Sequence, residues 1–208
     1  MLDSRIRGLW DDLMKPVGAG LARTGVHPDV ITVFGVVLQG AAAVLIVSDR
    51  LFLAGLVATL AAVSDTLDGA VAKARGEIRS FGALLDSAVD RISDALFFLP
   101  LAWLYGVIEP ASRSGQQWVA ALALVTLVAS FLVSYVKARA EGLGFDCNTG
   151  IAERAERLIL MILGLLLNLV PLVLSVLAAL SVITFFQRLA HVRSQASASV
   201  ATHSRSHR

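Results

Sequence analysis

Cysteine occurs once in this chain of 208 residues, at Cys147. With a single thiol there is no intramolecular disulfide and no Cys-based zinc site to propose. Charge is also scarce, because only 16% of residues are Asp, Glu, Lys or Arg, where a soluble domain carries roughly a quarter. The opening stretch MLDSRIRGLWDDLMKP holds no continuous apolar core, so no cleaved targeting signal is expected. What the chain has in abundance is apolar surface, with 56% hydrophobic residues and a mean hydropathy of +0.73. That balance excludes an ordinary soluble enzyme and indicates an all-α integral membrane protein.

Apolar stretches long enough to cross a bilayer fall near residues 30–48, 51–73, 84–108, 117–140, 156–171 and 172–190, since a crossing helix needs about 20 residues. Six transmembrane helices are therefore expected. The last two are divided only by Asn168 and Pro171, and a proline at a tight turn suits two shorter helices. Basic residues fix the orientation. Arg5, Arg7, Lys15, Arg23, Lys73, Arg75, Arg79, Arg91, Lys137, Arg139, Arg154, Arg157, Arg188, Arg193, Arg205 and Arg208 fall on the side of the two termini, leaving Arg50 and Arg113 for the other face. By the positive-inside rule the termini and the second and fourth connections are cytoplasmic in a cell-membrane protein.

Residues 1–25 form a separate element. Leu2, Ile6, Leu9, Trp10, Leu13 and Val17 recur at helical spacing between Arg5, Asp11, Asp12 and Lys15, the pattern of an amphipathic helix lying in the membrane interface. Residues 26–193 make up the six-helix membrane domain. Beyond it, 194–208 reads SQASASVATHSRSHR in its polar, basic course, a composition that buries nothing and is expected to be disordered.

Against this background, four aspartates in residues 65–90 stand out. Asp65 and Asp68 are three apart on the second span, and Asp86 and Asp90 are four apart on the third, so each pair shares one helical face. Carboxylates at membrane depth are unfavourable unless a cation compensates them. An all-oxygen ligand set suits Mg²⁺ or Mn²⁺ rather than zinc, and two divalent ions would balance four ionised carboxylates. Two metal ions point to chemistry on phosphate oxygens. Gly69, Ala72 and Gly82 keep the approach to these faces narrow in bulk. A proton- or ion-coupled transporter is the reading from another class, but the second half of the chain holds no inverted repeat of the motif.

The pattern D-x2-D-G-x2-A-R-x8-G-x3-D-x3-D resembles the signature of the CDP-alcohol phosphotransferase family, with Asp65, Asp68, Gly69, Ala72, Gly82, Asp86 and Asp90 all fitting. Lys73 departs from it, standing where the family has Arg, so a bidentate contact becomes a point charge there. This resemblance implies a phosphatidyltransferase that moves the phosphatidyl group of CDP-diacylglycerol to an alcohol and releases CMP. It implies Asp65, Asp68, Asp86 and Asp90 as metal ligands, Asp90 also as general base, and a homodimer. For the CDP-lipid it points to Asp29, Thr32, Gly69, Lys73, Arg79 and Ser80. Asp29 also reads as an ordinary cap after a proline turn. Asp94, one turn beyond Asp90, is a candidate support residue for a nearby cation.

The acceptor is chosen elsewhere. Lys137, Arg139, Arg154, Arg157 and Arg188 gather cationic donors on the cytoplasmic side, as a phosphorylated acceptor would require, although Arg139 reads as an ordinary positive-inside residue. The segments Y-x-K-A-R-A-E and E-R-x-E-R-L are similar to those of the actinobacterial phosphatidylinositol phosphate synthases in that family, which implies inositol 1-phosphate as acceptor, its phosphate held by Lys137, Arg157 and Arg188 with Ser134 and Arg154 in support. Glycerol 3-phosphate, and hence phosphatidylglycerophosphate synthesis, is the competing acceptor. Membrane lipids are the expected surroundings, and no nucleic-acid partner is expected.

Overall fold

The structure is a computed structural model that describes residues 4–25, 27–75, 80–151 and 154–206, and the side chains of all of these except 4–13, 28, 73, 75, 80, 83 and 198–206. Its elements are α1 (Ser4–Arg23), α2 (Pro28–Val47), α3 (Leu51–Arg75), α4 (Ser80–Trp103) continued by a π-helical turn (Leu104–Ile108), a short 3₁₀ turn (Ala111–Arg113), α5 (Trp118–Glu141), α6 (Arg154–Leu166) and α7 (Val170–Ser206). There is no strand among the described residues. Among the described residues, five segments are long and apolar enough to cross a membrane, Asp29–Val47, Leu51–Ala72, Leu84–Ile108, Trp118–Glu141 and Val170–Ser197.

The fifth expected span is corrected in its extent. Instead of covering 156–171, α6 has 13 residues and stops at Leu166, short of the roughly 20 that a crossing helix needs. Asn168 ends it by adopting a left-handed conformation at φ 55°, which asparagine tolerates better than most residues. Pro171 does not make the turn. It lies in the first turn of α7, where its missing N–H goes unnoticed and its fixed φ suits a helix start. From there α7 runs on to Ser206, so the segment expected to be disordered continues the last helix.

Glycines set how closely these helices pack. A Cβ on Gly55 would lie 2.8 Å from the Leu166 side chain, and one on Gly164 would lie 3.1 Å from Val173. These contacts press α6 between α3 and α7. On the other side α1 rests on α3, where a Cβ on Gly18 would come 2.7 Å from that of Ala70. Inside, Ile46, Leu101, Leu104, Tyr105, Leu165, Leu174 and Leu177 are fully buried, while large apolar side chains such as Val33, Phe52, Leu84, Leu172 and Phe186 face outward. Apolar outside as well as inside is the pattern of helices that lie in lipid.

At the end opposite the aspartates, Arg113 ties the connections together. Its Nε donates to Asp49 Oδ1 at 2.6 Å, Nη1 to the Tyr105 hydroxyl at 2.8 Å and Nη2 to Asn168 Oδ1 at 3.1 Å. One guanidinium thus joins the α2–α3 turn, the end of α4 and the α6–α7 turn.

Candidate active site

Helix periodicity carries Asp65 and Asp68 to one face of α3 and Asp86 and Asp90 to one face of α4, and packing turns those faces toward each other. Carboxylate oxygens of Asp65, Asp86 and Asp90 lie within 4.8 Å of one another. Asp86 is the exposed member, and the Asp90 side chain is 14% exposed. Asp68 stands apart from this trio. It is buried, and its Oδ2 accepts a hydrogen bond of 2.5 Å from Thr32 Oγ1 on α2. Next to it, Gly69 is exposed with open space where a Cβ would stand, so a ligand can approach the backbone beside Asp68.

Arg154 closes the trio. Its Nη1 lies 3.0 Å from Asp65 Oδ2 and 2.8 Å from Asp90 Oδ1, and Arg91 Nη1 approaches Asp90 Oδ2 at 3.3 Å. One turn deeper on α4, Asp94 Oδ2 accepts from Arg157 Nη2 at 3.3 Å. Long arginine side chains, more than backbone packing, thus connect α6 to α4. The sequence places Arg154 with the acceptor residues; the structure adds that it supplies positive charge to two aspartates. Oxygen-only donors this close fit a hard divalent cation, and the guanidinium already drawn between them shows that the cradle favours a positive guest.

The remaining acceptor candidates gather around the connection between α5 and α6. Arg188 is buried and donates from Nε to Thr149 O at 2.8 Å and from Nη1 to Val133 O at 2.7 Å. Ser134, half-buried, follows that second carbonyl. Lys137 reaches Glu141 at 3.8 Å with its side chain 41% exposed. Gln195 holds the connection from α7, accepting from Asp146 N at 3.1 Å and donating to Asp146 O at 2.6 Å. Cys147 is buried there, and burial pushes its thiol pKa up. Neither Gln195 nor Thr149 is marked by the sequence, since both act through the backbone of a loop.

Of the CDP-lipid candidates, Thr32 meets Asp68 directly. Asp29 is exposed, and the expectation that it caps the helix is corrected. His27 is the cap, its Nδ1 accepting from Asp29 N at 3.3 Å, while the Asp29 carboxylate sits 3.2 Å from the same nitrogen. Arg79 lies outside the described residues, as do the side chains of Lys73 and Ser80.

Residues 25–191 match the family described as CDP-alcohol phosphatidyltransferase. The chain is 38% identical over 153 residues to the phosphatidylinositol phosphate synthase of Mycobacteroides abscessus, covering 73% of this chain and 67% of that protein. It is 34% identical over 193 residues to the archaetidylinositol phosphate synthase of Pyrococcus horikoshii, covering 92% and 97%. A crystal structure of the Mycobacterium tuberculosis phosphatidylinositol phosphate synthase with CDP-DAG bound superposes with a TM-score of 0.77 at 36% identity, over 87% of this chain and 94% of that one. The same enzyme in complex with manganese and citrate gives a TM-score of 0.77 at 35% identity, over 86% and 88%. With this match spanning the aspartate motif, both faces of the carboxylate cradle and the arginines that border it, the chain belongs to the CDP-alcohol phosphatidyltransferase family.

Proposed function

We propose that this enzyme transfers the phosphatidyl group of CDP-diacylglycerol to inositol 1-phosphate, giving phosphatidylinositol phosphate and CMP. The observation that carries the reaction type is the meeting of Asp65, Asp86 and Asp90 within 4.8 Å beside Asp68 and Thr32. In this reading those four aspartates would hold two divalent ions, Mg²⁺ or Mn²⁺, which would supply charge neutralisation on the diphosphate oxygens. Thr32, Asp29, Gly69, Lys73, Arg79 and Ser80 bind the nucleotide end of the CDP-lipid. The acceptor hydroxyl oxygen bonds to the phosphorus that carries diacylglycerol, and the bond from that phosphorus to the bridging oxygen of CMP breaks. Asp90 takes the hydroxyl proton, as a general base within reach of the attacking group must.

Relatives from two lipid worlds support the acceptor. The M. abscessus and P. horikoshii proteins differ by name in the lipid they carry and agree in the inositol phosphate. Ser134, Lys137, Arg154, Arg157 and Arg188 are assigned to it, with the guanidiniums as donors to the phosphate. The reading also includes six helices within the cell membrane, the five long apolar segments and the shorter α6 packed among them, with α1 in the cytoplasmic interface, the site and both termini cytoplasmic, and a homodimer. The charge asymmetry of the sequence supports the orientation.

Purified enzyme with CDP-diacylglycerol and Mg²⁺ or Mn²⁺ tests it directly. Incorporation of labelled inositol 1-phosphate into lipid is the expected result. Incorporation of glycerol 3-phosphate instead would make the enzyme a phosphatidylglycerophosphate synthase and leave the reaction type intact.

A further inference from the structure

Beneath the aspartates, toward the bundle interior, lies a cavity of about 20 Å³ bordered by Thr32 and Gln39 of α2, Asp65 of α3, Ser93 of α4 and Arg154 of α6. A space of that size admits one water when polar groups surround it. Gln39 is 3% exposed, and its Nε2 has no hydrogen-bond partner among the described residues. An amide donor buried in a membrane helix is unfavourable unless it is satisfied, and such residues serve a site.

The register of α2 against α3 explains why the partner is not a protein group. Thr32 and Gln39 are seven residues apart, so they share the face of α2 that packs on α3. Thr32 reaches Asp68 directly. Two turns separate Thr32 from Gln39, but only one turn separates Asp68 from Asp65, so Gln39 ends up too deep to touch Asp65 in the same way. The cavity occupies the interval.

We propose that a water in this cavity accepts a hydrogen bond from Gln39 Nε2 and donates one to the Asp65 carboxylate, with Ser93 as a further partner, making Gln39 a positioning residue for Asp65. Together Thr32 and Gln39 then orient both α3 carboxylates from one stripe of α2, and a divalent ion meets a preset cradle. Groups that orient metal ligands in this way are worth about 10- to 100-fold in metal affinity.

The inference rests on Asp65 being a metal ligand, and the test separates the two. Mn²⁺ is titrated by electron paramagnetic resonance into the full-length protein in nanodiscs, as wild type, Gln39→Met and Asp65→Asn. Methionine keeps the volume of glutamine and removes the donor. Asp65→Asn should lose tight binding, and Gln39→Met should raise the Mn²⁺ Kd by about 10- to 100-fold with the thermal midpoint in EDTA at the wild-type value. A Gln39→Met Kd within twofold of wild type, alongside a disabled Asp65→Asn, overturns the role of Gln39 alone; wild-type binding by Asp65→Asn overturns both. Should Gln39→Met fail to accumulate, Ser93→Ala probes the same water from α4, where about tenfold weaker Mn²⁺ binding supports the proposal and an unchanged Kd overturns it.

Discussion

Arg154 Nη1 lies 2.8 Å from Asp90 Oδ1, and the same nitrogen lies 3.0 Å from Asp65 Oδ2, so one cation from α6 bridges carboxylates of α3 and α4. A divalent ion among these carboxylates and the guanidinium do the same electrostatic work. Arg154→Ala should therefore take away the guanidinium that Asp65 and Asp90 share, leaving Asp90 with Arg91, and lower the thermal midpoint in EDTA. Because binding to the folded state stabilises it by mass action, saturating Mn²⁺ should recover more of the midpoint in Arg154→Ala than it adds to wild type. Thermal unfolding with and without Mn²⁺ measures the difference, and an equal increment in both proteins would remove Arg154 from the role of counter-ion.

Asp90→Asn tests the base, with Mn²⁺ affinity measured alongside because Asp90 is also assigned as a metal ligand. The amide preserves shape and cannot take the acceptor proton, so transfer should fall by about 10²- to 10⁴-fold, the usual worth of a positioned base. Binding of the CDP-lipid, followed by competition with CMP, should persist. Turnover near the wild-type rate would place the base elsewhere.

How far these residues could be read from the sequence depended on whether their partners were local. Asp65 with Asp68 and Asp86 with Asp90 were legible because i, i+3 and i, i+4 spacing alone puts side chains on one face. Long apolar runs likewise gave α2 to α5. The length of α6 was not legible, since Asn168 in a left-handed conformation ends it where hydropathy continues unbroken. Nor was Arg154 legible as a counter-ion, because that role depends on how α6 docks against α3 and α4. Gln39 belongs to no motif in the sequence, and only packing brings it to the cavity beside Asp65.

Arg188 distinguishes a planar fork from a point charge. Its donors hold Val133 O and Thr149 O at 2.7 and 2.8 Å, fixing the α5–α6 connection to α7 while keeping positive charge beside Ser134. Lysine retains the charge but not the fork. Arg188→Lys should raise the KM for inositol 1-phosphate by about tenfold, equivalent to one hydrogen bond of roughly 1.4 kcal/mol, and leave the KM for CDP-diacylglycerol unchanged. Steady-state kinetics with each substrate varied in turn decide it; a shift in the CDP-diacylglycerol KM alone would detach Arg188 from the acceptor.

The far end of the bundle offers a contrast, because Arg113 holds structure there, away from the four aspartates of the candidate site. Its guanidinium satisfies Asp49, Tyr105 and Asn168 at once and lies 5.1 Å from the Tyr105 ring centroid, with its side chain 11% exposed. Asp49 is half-buried, its side chain 28% exposed, so losing the charge-assisted hydrogen bonds should cost about 1 to 3 kcal/mol. Arg113→Ala should lose about that much stability in equilibrium unfolding by denaturing detergent, and Arg113→Lys should recover only part because an ammonium cannot serve the three acceptors in their fixed directions. Turnover per folded molecule should match wild type at temperatures well below the lowered midpoint. A drop in turnover without a drop in stability would reverse the assignment, making the Arg113 clasp a determinant of the catalytic end rather than an anchor for the turns α2–α3 and α6–α7.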